Sequence, residues 1–208
     1  VADFLILAAS GEDHAGLHAW RERTAGLHDF VPDYHRLQLE HWIFANRARL
    51  QGKVMDIGVQ NPRRWLGNGY FTLGHTADTH SDRVGDVTAL PFDDEELDAI
   101  VCTEVLEHCA DPFIAVDEMR RVLKTGGLLL VTSPFLWPWH GTVNYPDYWR
   151  FTDQGWRHLL RHFSTVTVEP TQWTAEAEHL LDLVRRFEGW GFVHDVHGHT
   201  GYLCEAIK

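Results

Sequence analysis

The sequence is short of cations. Its 208 residues carry 18 Lys and Arg against 30 Asp and Glu, a formal net charge of −12 at pH 7. Those cations are scattered, so general nucleic-acid binding, which rests on clustered Lys and Arg neutralising phosphates, is not expected. Long apolar runs are also missing. The longest, 4–9 and 127–131, fall far below the ~20 residues that a bilayer helix needs, so no membrane span is expected. No basic stretch followed by an apolar one opens the chain, and no secretory leader is expected. Cysteine is sparse: Cys102, Cys109 and Cys204 are odd in number and lack metal-ligand spacing. Free thiols in a reducing, cytoplasmic setting are the plain reading. Neither G-x-G-x-x-G nor G-x-x-x-x-G-K-S/T occurs, which removes the dinucleotide fingerprint and the P-loop.

What is present is enough for a core: 44% hydrophobic residues, 12% aromatics, nine Trp, and an unusual fifteen His. The length fits one domain with a small appendage. The first fifty residues read as helical. Leu17, Trp20, Thr24 and Leu27, then Leu39, Trp42, Ile43 and Leu50, fall at three-to-four spacing, with breaks at 26–28 and 31–32. After Gly52, short apolar runs alternate with helical stretches, the pattern of βαβ units around a parallel sheet. Strands are predicted at 53–57, 70–73, 82–84, 97–102, 127–133, 164–169 and 201–207. A helix is predicted after Asp111, a good N-cap, with Pro112 in its first position and Phe113, Val116, Met119 and Leu123 along one face. Others are predicted at 152–163, burying Trp156, Leu159, Leu160 and Phe163, and at 174–187.

The segment Lys53-Val54-Met55-Asp56-Ile57-Gly58-Val59-Gln60-Asn61-Pro62 reads as strand, glycine turn and helix start. Backbone N–H groups then face the strand tip, where open α/β sheets bind ligands. An ordinary strand-to-helix turn is the alternative. Further on come Val84-Gly85-Asp86-Val87, then Leu97-Asp98-Ala99-Ile100-Val101-Cys102-Thr103-Glu104-Val105-Leu106-Glu107-His108, then Arg121-Val122-Leu123-Lys124-Thr125-Gly126-Gly127-Leu128. In this order and spacing the chain resembles the class I S-adenosylmethionine-dependent methyltransferases, specifically the small-molecule type 11 group, over roughly 54–163. The resemblance implies a Rossmann-like α/β fold: a seven-stranded, mostly parallel sheet with helices on both faces. An N-terminal helical cap (1–50) would precede that core (51–208).

It also implies S-adenosylmethionine as cofactor. Asp56 and Gly58 would hold its methionine moiety, Asp86 its adenine amine, and the Val87 N–H its ring. Thr103 and Glu104 would form the floor beneath the sulfonium. Two positions depart from the family pattern. Gln60 stands where the second glycine of the turn belongs, and Gly74 stands where an acid grips the ribose hydroxyls. Asp78 or Asp82 is a candidate substitute at that corner.

Residues 135–151 hold seven aromatics among seventeen, broken by Pro138, Gly141 and Pro146. In the resembling family such a segment lies over the substrate mouth; a lid that only packs the core is the other reading. His140 is the candidate base, with Tyr148 and Asp147 behind it, although a histidine bonded only within the lid is as good a reading. His108 reads as structural or orienting, and Arg150 as a substrate clamp or a partner of Asp147. The spaced histidines His75, His80, His194, His197 and His199 supply no C-x-x-C or H-E-x-x-H frame, so they read as surface residues and no metal is expected. The expected function is methyl transfer to an oxygen or nitrogen of a small-molecule acceptor such as a sugar or specialised metabolite, with a homodimer left open. Two rivals stand because of Gln60 and Gly74: the same fold running a cyclisation or rearrangement, and a non-catalytic partner subunit.

Overall fold

The computed structural model describes residues 34–58, 63, 66–76, 81–137, 139–143, 145–171 and 201–208. The chain divides into two compact units, Val1–Asn46 and Arg47–Lys208. In the first, helix α1 (Tyr34–Ala45) buries Leu39 and Ile43, four residues apart and so on one helical face. The helices predicted around 17–27 and at 174–187 lie outside the described residues.

The second unit is built on a sheet. Its strands are β1 (Val54–Ile57), β2 (Tyr70–Gly74), β3 (Arg83–Val84), β4 (Leu97–Thr103), β5 (Leu123–Pro134), β6 (Thr165–Pro170) and β7 (Gly201–Ile207). Among the described residues they form one seven-stranded sheet in the order β3-β2-β1-β4-β5-β7-β6. The first five run parallel, and β7 lies antiparallel between β5 and β6. β1 is buried throughout, as is β5 from Gly127 to Pro134, and β4 is buried except at Asp98. Such two-sided burial explains why these strands read as continuous apolar runs instead of alternating ones.

Helix α2 (Pro112–Val122) begins as predicted. Asp111 Oδ1 accepts from the Ile114 N–H at 3.2 Å, and Pro112 occupies the first turn. Its buried stripe differs from the predicted one and runs through Ala115, Val116, Met119 and Val122. Phe113 turns outward, where its ring meets His158 edge-on and the Arg161 guanidinium at 5.5 Å. Leu123 is already strand: it pairs with Leu97 before the ladder slips to Ala99 and Leu128. Helix α3 (Asp153–Leu159) is shorter than predicted. Thr152 caps it through the Gly155 N–H at 3.1 Å, and Trp156, Leu159, Leu160 and Phe163 are all buried as expected.

Strand order places the site. From β1 the chain steps outward to β2 and β3, then returns to lay β4 and β5 on the other side of β1. Connections therefore leave the carboxyl ends of β1 and β4 in opposite directions, the crevice where open α/β sheets take their ligands. Among the described residues no helix is long and apolar enough to cross a membrane.

Candidate functional site

The β1 tip carries a buried ion pair. Asp56 is fully buried in the middle of β1, and its two oxygens accept from Arg63 Nη1 at 2.7 and 2.8 Å. Tyr70 donates its hydroxyl to Asp56 Oδ2 at 2.7 Å and accepts from the Arg63 backbone N–H at 2.7 Å. Burial, reinforced by the Asp56 charge, pushes the Tyr70 phenol far above its ordinary value, so it stays a donor. A carboxylate inside a sheet demands such compensation, because an unpaired buried charge costs several kcal/mol. The side chain that the resemblance assigned to the methionine moiety is thus engaged within the fold.

Just beyond it, Gly58 has φ +82°, and a Cβ there would collide with the Thr103 carbonyl oxygen and a Val105 methyl. The exits of β1 and β4 therefore touch backbone to backbone, which only glycine permits. Gln60 lies outside the described residues. Gly74 ends β2, and its carbonyl accepts from the Gly85 N–H at 3.0 Å. Asp82 is bonded to β2. Its carboxylate accepts from the Thr72 N–H and hydroxyl at 2.8 and 2.9 Å, tying β3 to the middle of β2; Asp78 lies outside the described residues.

Asp86 sits on the surface past β3. Its Oδ1 accepts from the Thr88 N–H and hydroxyl, at 2.8 and 2.7 Å, and those bonds hold the carboxyl below its ordinary range. Its Oδ2 accepts nothing from the described residues, and Val87 follows half-buried. At the β4 exit, the Thr103 hydroxyl is buried with no hydrogen-bond partner among the described residues. Glu104 adopts φ +56°, a left-handed conformation that costs a non-glycine residue about 1–3 kcal/mol. It is held there by two bonds: its N–H donates to the Thr132 carbonyl, and its Oε1 accepts from the Thr132 hydroxyl at 2.8 Å.

The next turn adds a cluster that the sequence did not reveal as one. Leu106–His108 forms a single 3₁₀ turn, and the Glu107 side chain is buried with neither oxygen hydrogen-bonded among the described residues. Burial, with Glu104 nearby, pushes its carboxyl well above the usual carboxylate range. His108 Nδ1 lies 2.6 Å from the Pro146 carbonyl. A carbonyl only accepts, so Nδ1 carries the proton and Nε2 is left with a lone pair. Burial lowers the His108 pKa, which favours that neutral form.

His140 arrives from the aromatic segment. Its N–H donates to Asp147 Oδ2 at 2.9 Å, and its Nδ1 stands 3.1 Å from the same oxygen. Arg150 grips Asp147 through both guanidinium ends, at 2.5 and 2.8 Å, and holds its carboxyl well below the ordinary range. Arg150 is therefore the partner of Asp147, as one of its two readings had it. The two Nε2 atoms of His108 and His140 face each other at 3.1 Å.

The aromatic segment is anchored to this turn. The backbone N–H groups of Tyr148 and Trp149 both donate to the Glu107 carbonyl, and the Trp149 indole donates to the Cys109 carbonyl at 2.8 Å. Phe135 and Phe151 pack on the core, whereas Trp137, Trp139, Tyr145, Tyr148 and Trp149 are exposed. Its middle is therefore a surface wall, not core filling. The Tyr148 ring lies on that wall, and only its backbone is bonded into the turn.

Sequence reasoning set Asp147 behind His140, and the two are in contact; it paired Arg150 with Asp147 in one of two readings, and it read His108 separately as structural or orienting. It missed Glu107 as their neighbour, and it missed Arg63 and Tyr70 around Asp56. The signal for the latter was available, since an acid within an all-apolar strand requires a cation close by.

Comparisons with known proteins agree with this fold. A family model described as a methyltransferase domain matches residues 72–131. A demethylmenaquinone methyltransferase from Mycolicibacterium gilvum is 32% identical over 126 residues, covering 51% of this chain and 55% of that protein. The chain spans about half, or less, of the length of such curated relatives. A SAM-dependent methyltransferase structure from Archaeoglobus fulgidus superposes with TM-score 0.56 at 14% identity, covering 94% of this chain and all of that one. Phosphoethanolamine N-methyltransferase 2 from Haemonchus contortus, solved with S-adenosylmethionine bound, gives TM-score 0.51 at 19% identity over 79% of this chain and 52% of that one.

Proposed function

We propose that this chain, a class I S-adenosylmethionine-dependent methyltransferase by its fold and its matched domain, transfers a methyl group to an oxygen or nitrogen of a small molecule. The observation that carries the reading is the β4 exit. There a buried, unpartnered Thr103 hydroxyl and a strained Glu104 border the point where Gly58 brings two backbones into contact. Strain of this kind collects at ligand sites, and an orphaned buried hydroxyl calls for a partner.

The residues present fit the cofactor at three places. Asp86 offers its Oδ2 to an amine donor, the Thr103 hydroxyl offers a bond within the cleft, and Glu104 supplies negative charge beneath a sulfonium. They fit less well at two. Asp56 is already engaged by Arg63, and Gly74 has no side chain for the ribose. When bound, S-adenosylmethionine supplies an electrophilic methyl whose C–S bond breaks as the bond to the acceptor forms.

The protein's part is alignment and exclusion of water. The exposed wall of Trp137, Trp139, Tyr145, Tyr148 and Trp149 gives a flat acceptor an apolar surface. His140, steered by Asp147, presents Nε2 to the same mouth as the candidate proton-handling group. A second reading, an acceptor of the demethylmenaquinone kind, is favoured by the names of the demethylmenaquinone methyltransferases that the chain matches.

Calorimetry with S-adenosylhomocysteine tests the cofactor site. Micromolar binding is expected. Asp86→Asn weakens it about tenfold, the loss of one hydrogen bond to a charged group at ~1.4 kcal/mol per decade. Gly74→Asp tightens it by restoring a ribose clamp. Absence of binding at millimolar concentration removes the reading in favour of a non-methylating enzyme or a partner subunit.

A further inference from the structure

Three ligand-type side chains converge past the end of β4. His108 places its proton on Nδ1 to satisfy the Pro146 carbonyl, which leaves a lone pair on Nε2. His140 Nδ1 lies 3.1 Å from the Asp147 carboxylate and 3.4 Å from Arg150 Nη2, so either tautomer of that ring finds a partner. Its Nε2 stands 3.1 Å from His108 Nε2, a hydrogen-bond distance when His140 carries its proton there and a ligand-to-ligand distance when Asp147 holds the proton on Nδ1. A Glu107 oxygen lies 3.6 Å from His108 Nε2, fully buried and without a hydrogen bond among the described residues. One ligand atom from each of the three residues falls within 4.8 Å of the others.

We propose that Glu107, His108 and His140 bind a divalent first-row metal ion. With metal–ligand distances of ~2.0–2.1 Å, neighbouring ligand atoms around a tetrahedral ion stand about 3.3 Å apart, and around an octahedral ion about 2.9 Å. The 3.1 Å separation falls within that range, and the 3.6 Å one exceeds its upper end by about 0.3 Å. The widest pair closes by a small shift of His140, which sits on an exposed segment.

Two imidazoles and one carboxylate leave positions open for water or an acceptor oxygen, as catalytic sites of this composition do. The surroundings match a metal site too. His108 directs its remote N–H to a carbonyl, and a carboxylate stands 3.1 Å from His140 Nδ1, ready to hold the proton there when Nε2 binds an ion. The cation also supplies what Glu107 lacks, a positive partner for a buried carboxyl.

The consequence for substrate class rests on the methyl-transfer reading. An ion at this place draws in a hydroxyl acceptor and lowers its pKa, so the metal, not His140, makes the oxygen nucleophilic. That selects a hydroxylated acceptor over an amine, whose lone pair is available without help.

The test uses the full chain, dialysed against a chelator and titrated with Co²⁺, read by visible absorption and by calorimetry. One ion per chain with imidazole-type absorption bands is expected, displaced by Zn²⁺. Glu107→Gln keeps the shape of the buried side chain, and His140→Ala lies on the exposed segment. Each weakens Co²⁺ by ~100-fold or more, and Asp147→Asn by about tenfold, the range seen for groups that orient ligands. His75→Ala, at an exposed position elsewhere, leaves binding unchanged.

Co²⁺ uptake undiminished in both Glu107→Gln and His140→Ala overturns the site, because it then belongs to other histidines. S-adenosylhomocysteine binding without any Co²⁺ uptake overturns it too, while leaving the transferase intact. Uptake lost in both variants supports it whatever the cofactor does.

Discussion

At the residue scale the informative side chains are polar ones inside the sheet. Asp56, Arg63 and Tyr70 are bonded to one another: the carboxylate accepts from Arg63 Nη1 and from the Tyr70 hydroxyl, which accepts from the Arg63 N–H. Breaking it from either side has unequal consequences. Tyr70→Phe leaves the Arg63 N–H and one carboxylate oxygen short of a bond, and stability falls by about 1–3 kcal/mol. Arg63→Ala leaves a buried carboxylate uncompensated, and the loss is ~3–5 kcal/mol. Urea unfolding of the two variants checks both size and order; an Arg63 variant as stable as wild type contradicts the pairing. The sequence showed Asp56 as an acid on a strand but not which cation met it, because Arg63 reaches back across a turn. It likewise showed Glu107 and His108 side by side, yet their partner His140 comes from a segment 32 positions away.

At the scale of elements, local rules fared well where they were local. The Asp111 cap with Pro112, the helix start at Thr152 and the start of every strand but β5 follow from residues within a turn of one another. They failed where a neighbour decided the outcome. Phe113 occupies an inward position by spacing, yet it turns out to meet His158 and Arg161, and Leu123 leaves its helix to pair with Leu97. The turn after β1 was legible as a ligand-facing glycine, but not as the contact between two strand exits. Gly58→Ala tests that contact: the methyl meets the Thr103 carbonyl and the backbone is left-handed, so the expected outcome is destabilisation of at least ~1–2 kcal/mol. Loss of S-adenosylhomocysteine affinity accompanies it. Thermal unfolding and calorimetry measure the two, and an unchanged melting temperature speaks against the collision.

For the whole molecule, alternating apolar runs and helical stretches were enough to read a parallel α/β sheet, since strands buried on both faces have no other composition open to them. The position of β7 was less visible, because nothing in residues 201–207 announces an antiparallel strand inserted between two others. The site was legible in proportion to its continuity: Thr103, Glu104 and Asp86 follow strands directly, whereas the histidine pair exists only once β4 and the segment after β5 are brought together.

The order in which the sheet is completed differs from the order in which it is synthesised. β6 is made before β7 but, among the described residues, pairs only with β7, and β5 has no other strand on that edge. During translation the ribosome must therefore release residues 201–208 before β5 and β6 have any partner on that side. A nascent chain stopped at 200 carries an unpaired, almost wholly apolar β5 edge, a template for aggregation. Truncation there should yield inclusion bodies in place of a slightly weakened protein, and supplying 201–208 as a separate peptide during refolding should recover soluble material. A truncated chain that stays monomeric and soluble without that peptide would show that β5 is shielded some other way.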